Sequence, residues 1–425
     1  MMKSMRYDVI VIGGGPAGMM AAGRAAECGA GVVLLEKNAS LGAKLLITGG
    51  GRCNVTNAEF DRHIFLGEFK DAGKFLFSPF SKFGVQNTLD FFHEHGMPTK
   101  IEAEKRVFPL SDSAQSVWDA LTQYMREGGV TVSAGAMVAG LEAADGNISG
   151  VRLKNGDIMR ADAYILATGG TSHPETGSTG DGFRWLKKIG HAVVESRPSL
   201  VPLRVRERWI SDVSGVSFQD AKLTVFQNQN GQEREIKKVL PSRRGKVLFT
   251  HFGLSGPLVL NMSRDIGEFL RYGEVIVSLD LMPHGDIGEI DKQVQALFAP
   301  NKNRQIKNSL GGLVAPLLVP VLLRLANIDP EKPVHSVRRE ERLTLVRLLK
   351  DVRMTVTGLL GEDRAIVTSG GVVLEEVDFK NMRSRLYPNL YLVGDILNID
   401  RPSGGYSLQL CWTTGYVAGT AAAGK

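Results

Sequence analysis

Gly13-Gly14-Gly15-Pro16-Ala17-Gly18 carries the spacing G-x-G-x-x-G, and each glycine of that pattern has a physical task. Gly13 permits a tight turn at the end of a strand. Gly15 lets backbone approach a pyrophosphate, and Gly18 lets the following helix pack close to the strand. Pro16 and Ala17 stand between these glycines as further candidate contacts, and the N-terminus of the helix that follows offers free N–H groups and a positive dipole end to phosphate. Glu36 ends the next apolar run about twenty residues on, where a carboxylate accepts both hydroxyls of a ribose. Together these residues have the chemistry for holding a dinucleotide.

Two distal segments separate FAD from NAD. Asn389 to Asp395 is a buried-strand run ending in Gly394-Asp395, the arrangement by which two-dinucleotide folds hold the ribityl chain, with Asp395 accepting from a hydroxyl. Ile165 to Gly170 runs into Ala167-Thr168-Gly169-Gly170, with which such folds return to the same site. Lys37 and Lys44, after the second strand, and Met137 and Val138, opening a later one, join the candidate contacts. The loop Gly49 to Asn54 places the backbone of Gly51, the Arg52 cation, Cys53 and the Asn54 amide together. That set suits a diphosphate or the electron-rich edge of a reduced flavin. The alternative is a structural loop in which Arg52 only pairs with a carboxylate. Gly404, Gly405 and Ser407 flank the start of the last helix, where N–H groups could face flavin oxygens that gain charge on reduction. Asp181, in Thr179-Gly180-Asp181-Gly182, lies in a stretch that resembles a flavin-proximal segment of fumarate-reductase-like enzymes.

Acid–base candidates are fewer. Tyr406, beside the flavin-side glycines, could line the substrate side, and His251 could face the flavin across a cleft. A lone histidine is more often structural than catalytic. Cys53 could be redox-active, but a buried inert thiol is the commoner state, and no Cys-x-x-Cys pair supports disulfide reduction. No metal cluster is expected.

The elements that must position these groups follow from patterning. Tyr7 to Ile12 is apolar without alternation, as a buried parallel strand is. A helix from Met19 to Glu27 and a strand from Val32 to Leu35 complete one β-α-β unit. Leu89 to Gly96 and Ser113 to Gly128 read as helices. Val130 to Val132, Met137 to Leu141, Ile148 to Leu153, Met159 to Ala161 and Tyr164 to Ala167 read as strands. From about 196 to 280 the pattern is of strands with polar loops, including Gln227 to Gln232, followed by a helical stretch from Ile290 to Asn327. Leu345, Leu348, Leu349 and Val352 fall on one helical face, and Leu408 to Ala423 is a helix rich in small residues.

The chain has 425 residues, enough for two or three domains. Its net charge of +6 is mild over that length and argues for no particular partner. Three cysteines without paired spacing exclude a disulfide scaffold and fit a reducing compartment. Residues 1–6 are short and basic, without the apolar core of a secretory signal, and no apolar run reaches the roughly 18 residues of a membrane span. A cytoplasmic protein without membrane or nucleic-acid partner is expected, and its oligomeric state is open.

Leu45 to Asn57, Thr176 to Gly182, Phe249 to Pro257 and Ser403 to Gln409 resemble signature stretches of a bacterial flavoprotein family, the aminoacetone oxidase-like or NAD(P)/FAD-dependent oxidoreductases. The resemblance extends over nearly the whole chain. It implies non-covalent FAD and an α/β fold in which a Rossmann-like FAD-binding domain, split in sequence, carries an inserted β-barrel-like and helical region. The divisions expected are 1–194 and 365–425 for the FAD-binding domain, 195–283 with 328–364 for the β-rich insert, and 284–327 for a helical subdomain. The function expected is an FAD-dependent oxidoreductase acting on a small organic molecule. It is either an oxidase of an amine-like compound or a reductase fed transiently by NAD(P)H, since no second complete G-x-G-x-x-G with its acid is present. An RNA-modifying flavoprotein, with Arg204 to Arg208 and Lys237 to Lys246 as its basic stretches, and a non-catalytic flavin-binding regulator are the alternatives.

Overall fold

The strand Tyr7–Ile12 pairs in parallel with Val32–Glu36 on one side and Ala161–Leu166 on the other, in the computed structural model, which describes residues 7–228, 236–360 and 367–424. Thr131–Ala134 extends the sheet beyond Val32–Glu36, and Leu390–Leu392 extends it beyond Ala161–Leu166. Arg383–Ser384 and Val377–Asp378 add an antiparallel edge. Val9, Ile10 and Val11 have no exposed surface, and each such side chain contributes about 1.5–3 kcal/mol of transfer free energy.

The helix Pro16–Glu27 starts three residues before the expected Met19, with Gly15 as N-cap and Pro16, whose missing N–H costs nothing there, in its first turn. The last helix, Tyr406–Ala422, packs on it so closely that a Cβ at Gly415 would stand 2.5 Å from the Ala17 carbonyl oxygen and one at Gly419 would stand 2.5 Å from that of Ala21. The two chain ends thus share one core, within a compact unit made of Met1–Pro198 and Ala365–Lys425. This is the α/β Rossmann architecture, split in sequence.

Ser199–Arg364 form the second compact unit. Among the described residues, six antiparallel strands close on themselves in the order Ser217–Asn228, Arg243–Thr250, Gly253–Ser255, Leu203–Val205, Val352–Leu359 and Glu274–Asp280, the last pairing back with the first. Closure removes free strand edges. Ala221, Leu223 and Val225 alternate into the interior, where Ile290, Val294, Phe298 and Leu318 from the helical segment join the same apolar core.

Several local expectations change. Gln227 and Asn228 belong to a strand, not a polar loop, because that strand continues its pairing with Glu274–Asp280; the rest of the Gln227 to Gln232 stretch lies outside the described residues. Val352 leaves the helical face assigned to it. The helix Arg339–Lys350 ends at Asp351, and Val352 starts the next strand, paired with Leu279. The helical stretch from Ile290 to Asn327 is broken into Ile287–Phe298 and Leu318–Leu325, with Pro300 and Pro316 between them. Pro257–Phe269, read as strand territory, is a helix. Pro257 opens it after Gly256, and Leu258, Met262 and Ile266 are buried at every fourth position.

Candidate functional site

The parallel strands end on one cavity. Ile12, Glu36, Ala136, Ala167 and Val393 stand at or just beyond the carboxyl ends of the five parallel strands and line a space of about 440 Å³. Ligands of open α/β sheets bind in that crevice, outside the carboxyl ends. All the lining residues come from the first unit.

The glycine loop forms one wall. Gly13 has φ +106°, and a Cβ there would stand 2.5 Å from the Ala167 carbonyl oxygen. A Cβ on Gly18 would stand 1.9 Å from the Gly13 carbonyl oxygen. These two glycines are needed by the chain itself. Gly15 differs: a Cβ there meets nothing within 4 Å. Its backbone lies open to the cavity at the N-terminus of the helix Pro16–Glu27, as close approach of a diphosphate requires.

Glu36 is buried at the end of its strand. Its Oε2 accepts from Gly14 N at 2.7 Å and its Oε1 from Asn38 N at 2.8 Å. Each oxygen keeps a further lone pair for a hydroxyl. Thr168 Oγ1, also on the cavity wall, is buried without a hydrogen-bond partner within the chain. Asp395 sits between Arg401 and Lys44, the latter at 3.6 Å. Burial pushes its carboxyl up, but the two cations outweigh burial and hold it below the usual carboxylate range. A wall of open backbone at a helix start, two carboxylates with spare acceptor capacity and an unpartnered hydroxyl fits FAD.

Of the residues expected from sequence, Gly13, Gly15, Pro16, Ala17, Glu36, Lys37, Lys44, Met137, Val138, Ala167, Thr168, Gly169, Asp181, Asp395 and Ser407 line this cavity. Asp181 opens the helix Asp181–Lys188 and accepts from Lys37 Nζ at 2.8 Å. Its burial is outweighed by the bonds from Lys37 and Thr179, which hold its carboxyl down.

The others do not line it. Gly18 packs against Gly13. Gly394 donates its N–H to Thr414 Oγ1. Gly170 accepts from Gly180 N. Arg52 turns to Glu102 and Asp112 on the neighbouring hairpin and lies over the Phe108 ring at 4.1 Å, the carboxylate-paired arrangement. Gly51, Cys53 and Asn54 stay in the same loop, though Thr48 at its start reaches the cavity. Asn54 Oδ1 is buried without a partner. Gly404 and Gly405 stand against Asn57 and Thr56. His251 is exposed in the second unit, between Arg243–Thr250 and Gly253–Ser255, and stands edge-on to Phe252. Tyr406 packs on Phe65, ring centroids 4.7 Å apart, and burial first, then Glu68 and Glu59, push its phenol up to about 12.

Sequence reading missed the network that joins the two glycine loops. Gln409 Oε1 accepts from Thr56 Oγ1 at 2.6 Å and from Thr88 Oγ1 at 3.0 Å, and Trp412 Nε1 donates to the Val55 carbonyl at 2.9 Å. All of these side chains are buried. The wall formed by Thr176–Thr179 lies in a stretch marked by its resemblance, whereas Lys154 and Trp185 beside it were missed. A buried glutamine within an apolar helix was the available signal for the network; nothing local marked Lys154 or Trp185.

Burial pushes the thiols of Cys53 and Cys411 up to about 12, Cys411 with a further contribution from Asp395. Neither is a thiolate at neutral pH, so neither is a nucleophile. Maleimide labelling of the native protein near pH 7 should leave both unmodified, and denaturant should release them. Rapid native labelling at Cys53 would restore it as a redox candidate.

The HI0933-like protein Rossmann domain family matches residues 7–421. The chain belongs to this family. Among its relatives, a 3-dehydro-bile acid delta(4,6)-reductase from Clostridium scindens is 32% identical over 416 residues, covering 97% of this chain and 98% of the relative. A ribosomal RNA dihydrouridine synthase from Escherichia coli is 29% identical over 412 residues, covering 97% and 96%. Two solved structures share the fold at 16% identity: a flavocytochrome c3 fumarate reductase (TM-score 0.55, covering 99% of this chain and 78% of the other) and the 3-ketosteroid-delta4-(5alpha)-dehydrogenase of Rhodococcus jostii RHA1 (TM-score 0.54, covering 98% and 97%). This HI0933-like chain is an FAD-dependent oxidoreductase. Among its described residues no helix is long and apolar enough to cross a membrane.

Proposed function

We propose that this HI0933-like protein reduces a carbon–carbon double bond conjugated to a carbonyl in a small organic molecule, with NAD(P)H as the transient two-electron donor. The observation that carries the reading is the full-length relation to the two enzymes above. One is named as a delta(4,6)-reductase of a 3-dehydro bile acid, the other for making dihydrouridine. Both names describe saturating an alkene that a carbonyl makes electron-poor. Per turnover one hydride comes from NAD(P)H and one proton from the protein or solvent, giving NAD(P)⁺ and the saturated product.

Bound FAD supplies the hydride transfer itself. The chain's residues hold and orient. The backbone N–H groups of Gly15 and Ala17 would receive the diphosphate, Glu36 the ribose, and Asp395 a ribityl hydroxyl. Tyr406, half-buried in the first turn of the last helix and outside the cavity lining, is the candidate donor of the proton to substrate carbon, a phenol being protonated at neutral pH.

The 29% identity to the ribosomal RNA enzyme makes a uridine base in RNA the second reading. The test is the visible spectrum of the anaerobic holoprotein. NADH or NADPH should bleach the flavin band, and a cyclic enone should restore it. Restoration by ribosomal RNA transcript but by no enone would replace the small molecule with RNA. A band bleached by amines and not by nicotinamides would return the protein to the aminoacetone oxidase-like reading. Absence of a flavin band after adding FAD would remove the whole proposal.

A further inference from the structure

Arg401 carries its charge with none of its side chain exposed. A buried guanidinium is costly unless its donors are used. Here Nη1 donates to the Ile399 carbonyl at 2.7 Å, Nε to Ser407 Oγ at 3.0 Å, and Nη2 to Asp395 Oδ1. Asp395 and Ser407 both line the cavity, and Arg401 does not. The guanidinium therefore grips two cavity-facing groups from behind the wall. One lies in the turn Gly394–Ile396, the other in the first turn of the helix Tyr406–Ala422.

The Asp395 side chain is 14% exposed. On the cavity side Lys44 Nζ stands 3.6 Å from its Oδ2 and donates to Ser172 Oγ at 2.5 Å. The remaining titratable group facing it is the Cys411 thiol, which burial keeps neutral. Without a cation behind it, a carboxyl this buried would take up a proton in mild acid. A protonated carboxyl loses charge-assisted acceptance from a hydroxyl.

We propose that Arg401 is a positioning residue that holds Asp395 as an ionised, oriented acceptor for FAD, making flavin retention insensitive to mild acid. The proposal rests on the reading of this cavity as the FAD seat. The two can fail separately.

The experiment dilutes the full-length holoprotein and reads the fluorescence of released FAD at equilibrium, at about pH 8 and about pH 5.5, a span wide enough to expose a titrating carboxyl. The wild type should retain FAD alike at both. Arg401→Met, similar in length and uncharged, should bind somewhat more weakly than wild type at the higher pH, through lost orientation of Asp395, and progressively worse below it. Its dissociation constant should rise by up to about tenfold per pH unit below the carboxyl's new pKa, because the protonated fraction grows as pH falls. Asp395→Asn should be weak and flat with pH, and adding Arg401→Met to it should create no pH dependence. Arg401→Lys should restore part of the tolerance by restoring the charge.

Equal weakening by Arg401→Met at both pH values would reduce Arg401 to packing and overturn the proposal. If that variant does not fold, the wild-type profile decides: flavin loss with a midpoint inside the window overturns it, and a flat profile beside a pH-dependent Arg401→Lys supports it. A wild type that holds no FAD at any pH would fail the FAD seat itself, and this proposal with it.

Discussion

Gly15→Val should give a folded protein that carries no flavin. Gly15 has φ −79° and ψ −178°, ordinary extended geometry that valine adopts readily. A Cβ there meets no atom of the chain within 4 Å, so the fold loses nothing by steric conflict. The new methyl groups stand in the cavity at the start of the helix Pro16–Glu27, in the space a diphosphate must enter. FAD affinity should fall by more than about 100-fold, equivalent to roughly 2.7 kcal/mol. The unfolding midpoint of the apoprotein should match that of wild-type apoprotein. Absorbance at the flavin band and circular-dichroism melts check both halves. A variant that purifies yellow would show that the diphosphate lies elsewhere.

Gly18→Ala should do the opposite, harming the fold before the ligand. Its single added carbon would lie 1.9 Å from the Gly13 carbonyl oxygen and 3.2 Å from the Ala167 Cβ. Gly13 cannot yield, because it is itself pinned at φ +106° against the Ala167 backbone. Overpacking against the Gly13 main chain on one side and the Ala167 side chain on the other should cost about 3 kcal/mol or more. For a unit of this size that lowers the melting midpoint by roughly 6–12 °C, in apoprotein as well as holoprotein. A Gly18→Ala apoprotein as stable as wild type would mean that the strand–helix contact is looser than the structure has it.

The contrast between two glycines of one motif separates what each level of description contributes. The motif itself was legible because its geometry is local. A strand, a turn, a helix and an acid within one β-α-β unit must place Gly13, Gly15, Gly18 and Glu36 as they are placed. The terminal strand Leu390–Leu392 was legible for a related reason: a short, unbroken apolar run ending in Gly394-Asp395 has few other uses. The helix Pro257–Phe269 was missed although Leu258, Met262 and Ile266 carried its spacing. Contiguous β-branched and aliphatic residues look alike in both structures until the buried face is known.

Side-chain partnerships were not legible, because they depend on how the backbone between the partners turns, whether that stretch is long or short. Arg52 had a loop suited to a phosphate, and took Glu102 and Asp112 because the hairpin of Thr99–Ile101 and Arg106–Pro109 brings competing carboxylates to it. Arg401 had no feature to single it out. Its partners Asp395 and Ser407 are each only six residues away, but nothing in the residue types of the intervening loop shows that it turns the guanidinium back onto both. Sequence by itself determined the dinucleotide-binding frame, since that depends on contacts within a few tens of residues, and the cofactor class, since each of the two distal strand ends that mark it is legible within its own short run. Tertiary structure decided which charged groups face the cavity and which are consumed by one another, since burial and pairing are properties of surfaces that only the packed chain possesses.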